Sequence, residues 1–167
     1  MNSTIKTICK YNNGHWEFGG KEMKSDYHVG FIYLILDNDT RSAYIGKKKY
    51  HSTRMLPPLK GYKRRRKKVT EMDWRNYTSS SEHVNERIKK GANISFHTLC
   101  ECKTQGEMTY LEAHLLHKMD TLTQMKQCGD RLFLNKHIDA IKYLPVVDNN
   151  VIRVIERANE CMQDMWK

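Results

Sequence analysis

The stretch GFIYLILDNDTRSAYIG, Gly30 to Gly46, reads as a β-hairpin and sets the frame for the rest of the chain. Phe31 to Leu36 is an unbroken apolar run of strand-favouring residues, Asp37-Asn38-Asp39-Thr40 supplies turn chemistry, and Ala43-Tyr44-Ile45 resumes the strand. A two-residue turn at Asn38-Asp39, side chains that tolerate positive φ, would set Tyr33 opposite Tyr44 and Phe31 opposite Gly46. Directly opposed residues share a face with Cβ atoms about 5 Å apart, so two phenol hydroxyls would emerge side by side. Gly46, with no side chain, leaves room there for a backbone or a ligand. From the residues alone, the tyrosines are either a cross-strand aromatic pair that stabilises a sheet or two chemical groups held together for a purpose.

Charge points outward from the same place. The 167 residues carry a net charge of +10, and twelve Lys or Arg with no Asp or Glu lie between Thr40 and Thr70. This excess adjoins the hairpin and implies a polyanionic partner, for which phosphate is the natural chemistry. Lys47, Lys48, Lys49, Lys60, Lys63, Arg64, Arg65, Arg66, Lys67 and Lys68 are the candidate phosphate-binding residues. Pro57-Pro58 breaks any helix and like charges repel, so 47–70 is expected as an extended basic loop inserted in the fold. The length suits one domain with a real core. No run of eighteen apolar residues occurs, which argues against a membrane span. Five cysteines, an odd number, do not make a disulfide framework and suit a reducing cytoplasm.

The flanking segments divide into an N-terminal extension (1–29), a central domain (30–144) and a C-terminal amphipathic helix (145–167). In the first, Asn12-Asn13-Gly14 between Lys6–Tyr11 and Trp16–Phe18 would turn a small hairpin that Gly19-Gly20 ends, with Trp16 packed against the sheet. Ser79 and Glu82 are spaced as a capping box for a helix that Gly91 ends, and Ile94 to Cys100 alternates as a half-buried third strand. Thr104 and Glu107 make a second capping box, followed by Met108, Leu111, Leu115, Leu116 and Met119 at helical spacing. On that helix Glu112 lies about 40° from Met108, inside the apolar stripe, where a carboxylate is costly unless it meets a cation: a basic side chain or a metal. His114 and His117 with Cys100 and Cys102 form a weaker zinc-like set, their spacing unlike common zinc sites. Val154, Ile155, Ala158, Cys161, Met162 and Met165 trace the stripe of the last helix, which would pack on the core or on a second copy of the chain, giving a homodimer.

Ile32-Tyr33, ten intervening residues, then Tyr44-Ile45-Gly46 resembles the GIY-YIG nuclease family, with Phe31 where the family usually has glycine. Asp73-Trp74, Tyr77, the serine run, the helix to Gly91 and Tyr110-Leu111-Glu112 resemble its small phage-encoded, Seg-like homing endonucleases, over about Gly30 to Asn135. The resemblance implies an α+β fold, a small three-stranded antiparallel sheet flanked by helices. It implies hydrolysis of the phosphodiesters of double-stranded DNA with Tyr33 as general base, Tyr44 assisting, and Glu112 holding Mg²⁺ or Mn²⁺. It also makes the candidate phosphate-binding residues DNA-binding ones. Lys48 would lower a phenol pKa that ordinarily lies at about 10. An arginine would clamp the phosphate: counting from Tyr44 picks out Arg54, whereas counting back from Ser79-Ser80 points to Arg64, Arg65 or Arg66. Asn135 matches an asparagine that orders the family's site. Competing readings are a restriction-like or nonspecific nicking nuclease, and a non-catalytic basic DNA-binding protein in which Glu112 is merely a core ion pair.

Overall fold

The computed structural model describes residues 15–23, 25–138 and 149–166. Its central strand is β3 (Gly30–Asp37), every residue of which is buried. It lies between β4 (Ser42–Lys49) and β7 (Ile94–Cys102), antiparallel to both. Burial on both faces explains why β3 reads as a continuous apolar run instead of an alternating one. Ile32, Leu34 and Leu36 face α2 (Gln105–Lys118) and α3 (Asn149–Trp166), whereas Phe31, Tyr33 and Ile35 face Trp16, Trp74 and Val84 of α1 (Glu82–Lys89). The architecture is α+β, as expected. No helix among the described residues is long and apolar enough to cross a membrane.

The hairpin forms in a different register from the expected one. Tyr33 pairs with Gly46 and Ile35 with Tyr44, so the strands close through a longer loop between Asp37 and Ser42. The cause is the Asp37 carboxylate, which accepts hydrogen bonds from the backbone N–H groups of Asp39 and Thr40 and is gripped by Arg87, with Arg41 taking positive φ. The register moves by an even step, so Tyr33 and Tyr44 still share a face, diagonally, with ring centroids 6.3 Å apart. On the other side of β3, Leu99 of β7 bulges between the partners of Ile32 and Tyr33.

Three further expectations are corrected. The basic segment is not a loop: β5 (His51–Leu56) and β6 (Arg66–Glu71) form an exposed antiparallel ribbon. Its inner rungs pair Ser52 with Thr70 and Thr53 with Val69, residues that favour strands despite the charge around them. Gly19-Gly20 does not end a hairpin but turns one, both at positive φ, between β1 (Glu17–Phe18) and β2 (Lys21–Glu22). The strand and turn expected at Lys6–Gly14 lie outside the described residues. The N-cap of α1 is Ser81, and Ser79 instead accepts from the Ser81 N–H. The capping box at Thr104 and Glu107 forms as expected, and Val154 and Ala158 of α3 pack into the chain's own core. Cys100, Cys102, Cys128 and Cys161 are free thiols; Cys9 lies outside the described residues.

Candidate active site

The site lies along the outer edge of β4. Strand alternation sends Tyr44, Gly46 and Lys48 to one face of the sheet and Ile45 and Lys47 to the other, and a cavity of about 520 Å³ wraps around the edge between them. Part of that edge is covered. The backbone of Leu132 and Leu134 bonds the N–H and C=O of Ala43, and the Asn135 amide then takes over at Ile45, Oδ1 accepting at 3.0 Å and Nδ2 donating at 2.7 Å. Asn135 is buried, so this single side chain fixes the strand that carries Tyr44 and Lys47.

On the first face Tyr33 is fully buried, ringed by Trp16, Phe31, Tyr44 and Tyr77. Its hydroxyl shares a 3.1 Å hydrogen bond with that of Tyr77. Gly46 permits this: a Cβ there would stand 2.5 Å from the Tyr33 oxygen. The space left by the glycine is thus filled by the Tyr33 phenol. Tyr77 is held from behind, its backbone oxygen accepting from Trp16 Nε1 at 2.7 Å, and Lys48 Nζ lies 3.7 Å above its ring. Tyr44 is half-buried, lines the cavity, and shares a 2.9 Å hydrogen bond with Ser80.

Burial pushes the Tyr33 phenol well above its ordinary pKa, and the neighbouring Tyr77 and Tyr44 push it the same way. Tyr44 is raised as well, by burial first and by the charges of Tyr77 and Glu112, against the bond from Ser80. Both shifts run opposite to the lowering expected from Lys48. That ammonium is itself partly desolvated, which lowers its own pKa.

On the second face Glu112, brought to the cavity by α2, meets Lys47 with Oε2 2.7 Å from Nζ; the two side chains are only 13% and 21% exposed. Of the two cations foreseen for this carboxylate, a basic side chain is present, and it is a lysine of the adjacent strand. The carboxylate remains on the cavity wall. Among the described residues no three His, Cys, Asp or Glu side chains gather as a metal-binding group, so Cys100, Cys102, His114 and His117 make no zinc site. His114 stacks on Tyr110. Two wall carboxylates, Glu112 and Glu82, beside open volume fit a hard ion such as Mg²⁺, which takes one or two carboxylates and completes its shell with water and phosphate oxygens.

Tyr44, Lys47, Glu112 and Asn135 therefore converge on one cavity, with Tyr33, Gly46 and Lys48 supporting it. Arg54 does not join them: it sits on β5 opposite Lys68, and Arg64, Arg65 and Arg66 lie at the far end of the same ribbon, exposed. The basic run is divided, with Lys47 on Glu112, Lys48 over Tyr77, Lys49 exposed, and Lys60, Lys63, Lys67 and Lys68 on the ribbon or its tip. Reading by residue type missed the parts played by Tyr77, Ser80 and His83, all of which line the cavity. Tyr77 follows Trp74 just after the basic segment, and that aromatic pair was the available signal.

The fold and its edge site define an α+β domain of the GIY-YIG kind. The chain belongs to the family described as putative endonuclease segE, GIY-YIG domain, whose profile matches residues 16–138. The match begins at Trp16, the residue whose indole holds Tyr77. No curated protein and no solved structure matches the chain.

Proposed function

We propose that this protein is a metal-dependent endonuclease that hydrolyses phosphodiester bonds of double-stranded DNA at the β4 edge, as a phage homing-type enzyme. The observation that carries the reading is the convergence of Glu112, Lys47, Tyr44 and Tyr77 on one cavity. A divalent cation held by Glu112, Mg²⁺ or Mn²⁺, supplies neutralisation of the phosphate's developing negative charge. Lys47 Nζ, 2.7 Å from the Glu112 carboxylate, adds a second positive charge beside it.

Tyr44 receives the proton of the attacking water. Its hydroxyl, oriented by Ser80, is exposed to the cavity, whereas that of Tyr33 is enclosed. The base role that the family resemblance implies for Tyr33 thus passes to Tyr44, and Tyr33 becomes a positioning residue that fixes Tyr77. Water oxygen bonds to phosphorus, its proton goes to the Tyr44 phenolate, and the bond to the leaving oxygen breaks. Tyr77, with Lys48 above its ring, lines the cavity on that side. Among the described residues no arginine lines this cavity, so the phosphate clamp foreseen for Arg54 falls to lysines.

The test is plasmid cleavage at low salt by the parent and by Glu112→Ala, with Mg²⁺, Mn²⁺ or EDTA. Metal-dependent nicking or linearisation that falls at least a hundredfold in the variant is the expected result. Discrete fragments from phage DNA support the homing reading, and uniform nicking a nonspecific nuclease. A gel shift with no cleavage by either protein would leave a basic DNA-binding protein in which Glu112 serves only to pair with Lys47.

A further inference from the structure

The β5–β6 ribbon has two unlike faces. By its register Ser52 faces Thr70, Arg54 faces Lys68 and Leu56 faces Arg66 on one side, whereas His51 faces Glu71, Thr53 faces Val69 and Met55 faces Lys67 on the other. The first side carries three cations and two hydroxyls with no carboxylate. Arg54 and Lys68 stand directly opposed, an arrangement that like charges disfavour and that an anionic or electronegative surface relieves. The second side holds the ribbon's one carboxylate, together with Met55 and Val69, each more than half exposed. A cation ladder with no carboxylate on its own side is thus kept on one face of an exposed ribbon.

The root is stiff. Tyr50 and Trp74, both buried, meet edge to face at 5.0 Å and flank Phe31. Tyr50 O accepts from Met72 N–H at 2.7 Å, and the Tyr50 hydroxyl donates to Glu101. The ribbon is therefore an arm with a set direction and not a tether. Its dimensions select an occupant. Two strands about 5 Å apart, with their side chains, match a DNA major groove about 12 Å wide and exceed a minor groove of about 6 Å. Arg, Ser and Thr are the donors that read guanine N7 and O6 and other base edges there.

We infer that the ribbon enters the major groove with its Arg54–Arg66–Lys68 side on the base edges and so gives cleavage a sequence preference. This rests on the DNA-nuclease reading above, in which the cavity does the chemistry and the ribbon chooses the place.

The test uses the full chain carrying Glu112→Gln, in EDTA, to select from a library of random 30-base-pair duplexes. One motif should be enriched. Replacing its guanines with 7-deazaguanine, which removes the major-groove N7 acceptor, should weaken binding about ten- to a hundredfold. Inosine, which lacks only the minor-groove amino group, should change it less than about threefold. Arg54→Ala with Lys68→Ala should flatten the enrichment, and Thr53→Ala with Met55→Ala should keep it. Enrichment of no motif, sensitivity to inosine instead of 7-deazaguanine, or a motif retained without Arg54 and Lys68 would each overturn the inference. Because binding is read without cleavage, a selected motif in a protein that never cuts refutes the nuclease and leaves the ribbon's role standing. Cleavage without any motif does the reverse.

Discussion

Substituting Gly46 with Ala tests the packing that sets the tyrosines. The added Cβ would stand 2.5 Å from the Tyr33 oxygen and 2.6 Å from its Cζ, where an unstrained contact needs about 3.5–4 Å. The ring would have to retreat by about 1 Å, into Trp16 at 5.0 Å or Tyr77 at 6.0 Å between centroids. Overpacking of this kind costs about 1–3 kcal/mol, and the displaced phenol also loses Tyr77. With a slope of about 2 kcal/mol per molar urea, the unfolding midpoint should fall by about 0.5–1.5 M. The decisive arm repeats the change in a Tyr33→Leu background. There the clash is gone, and Ala should be neutral or stabilise by up to about 1 kcal/mol, since it restricts the unfolded chain more than Gly. A midpoint that Gly46→Ala leaves unmoved, or lowers equally in both backgrounds, would refute the account of why glycine stands there.

Because Tyr44 is held above its ordinary phenol pKa, its phenolate is scarce at neutral pH, and kcat/KM for plasmid nicking should climb about tenfold per pH unit from 7 toward 10. A plateau below pH 8.5 would assign the proton to another group. Asn135→Ala leaves the Ile45 N–H and C=O without partners and should cost about 2–4 kcal/mol in urea unfolding, with faster hydrogen exchange at the Ile45 amide. The Asp37 carboxyl is raised by burial, but bonds from Arg87 and Thr40 outweigh this and hold it below its ordinary range. Its folded pKa is thus lower than its unfolded one, so the stability it contributes is complete at neutral pH and fades as the pH falls below about 4. Asp37→Asn should therefore lower stability at pH 7 and flatten its fall in acid, read from urea midpoints across that range.

The parts legible in the sequence are those whose signal is local. The β3 run, the Thr104–Glu107 box and the stripe of α2 each state their own structure within a dozen residues, and Glu112 stood out because a charge interrupted an apolar face. The register of the hairpin was not local. It depends on Arg87 reaching Asp37 across fifty residues, which turn chemistry at Asn38-Asp39 could not reveal. The ribbon was hidden for the opposite reason: dense charge usually marks a solvated loop, and only cross-strand pairing of Ser52 with Thr70 and Thr53 with Val69 makes strands of it. Alternation along β4 likewise separated Lys47 from Lys48, adjacent residues that a basic run had grouped together. Tyr77 approaches Tyr33 only when Trp16, on a different segment, folds over the sheet.

The cover on β4 bears on more than catalysis. A three-stranded sheet has two outer strands, and an uncovered one offers a row of amides and carbonyls to any passing strand, including that of another molecule. An enzyme working at such an edge would ordinarily risk polymerising there. At Ile45 the protecting group is not a backbone but the amide of Asn135, which satisfies one donor and one acceptor and then stops, with no ladder beyond it to extend. At that residue a passing strand finds both groups already bonded, so one asparagine guards the edge as well as bordering the cavity.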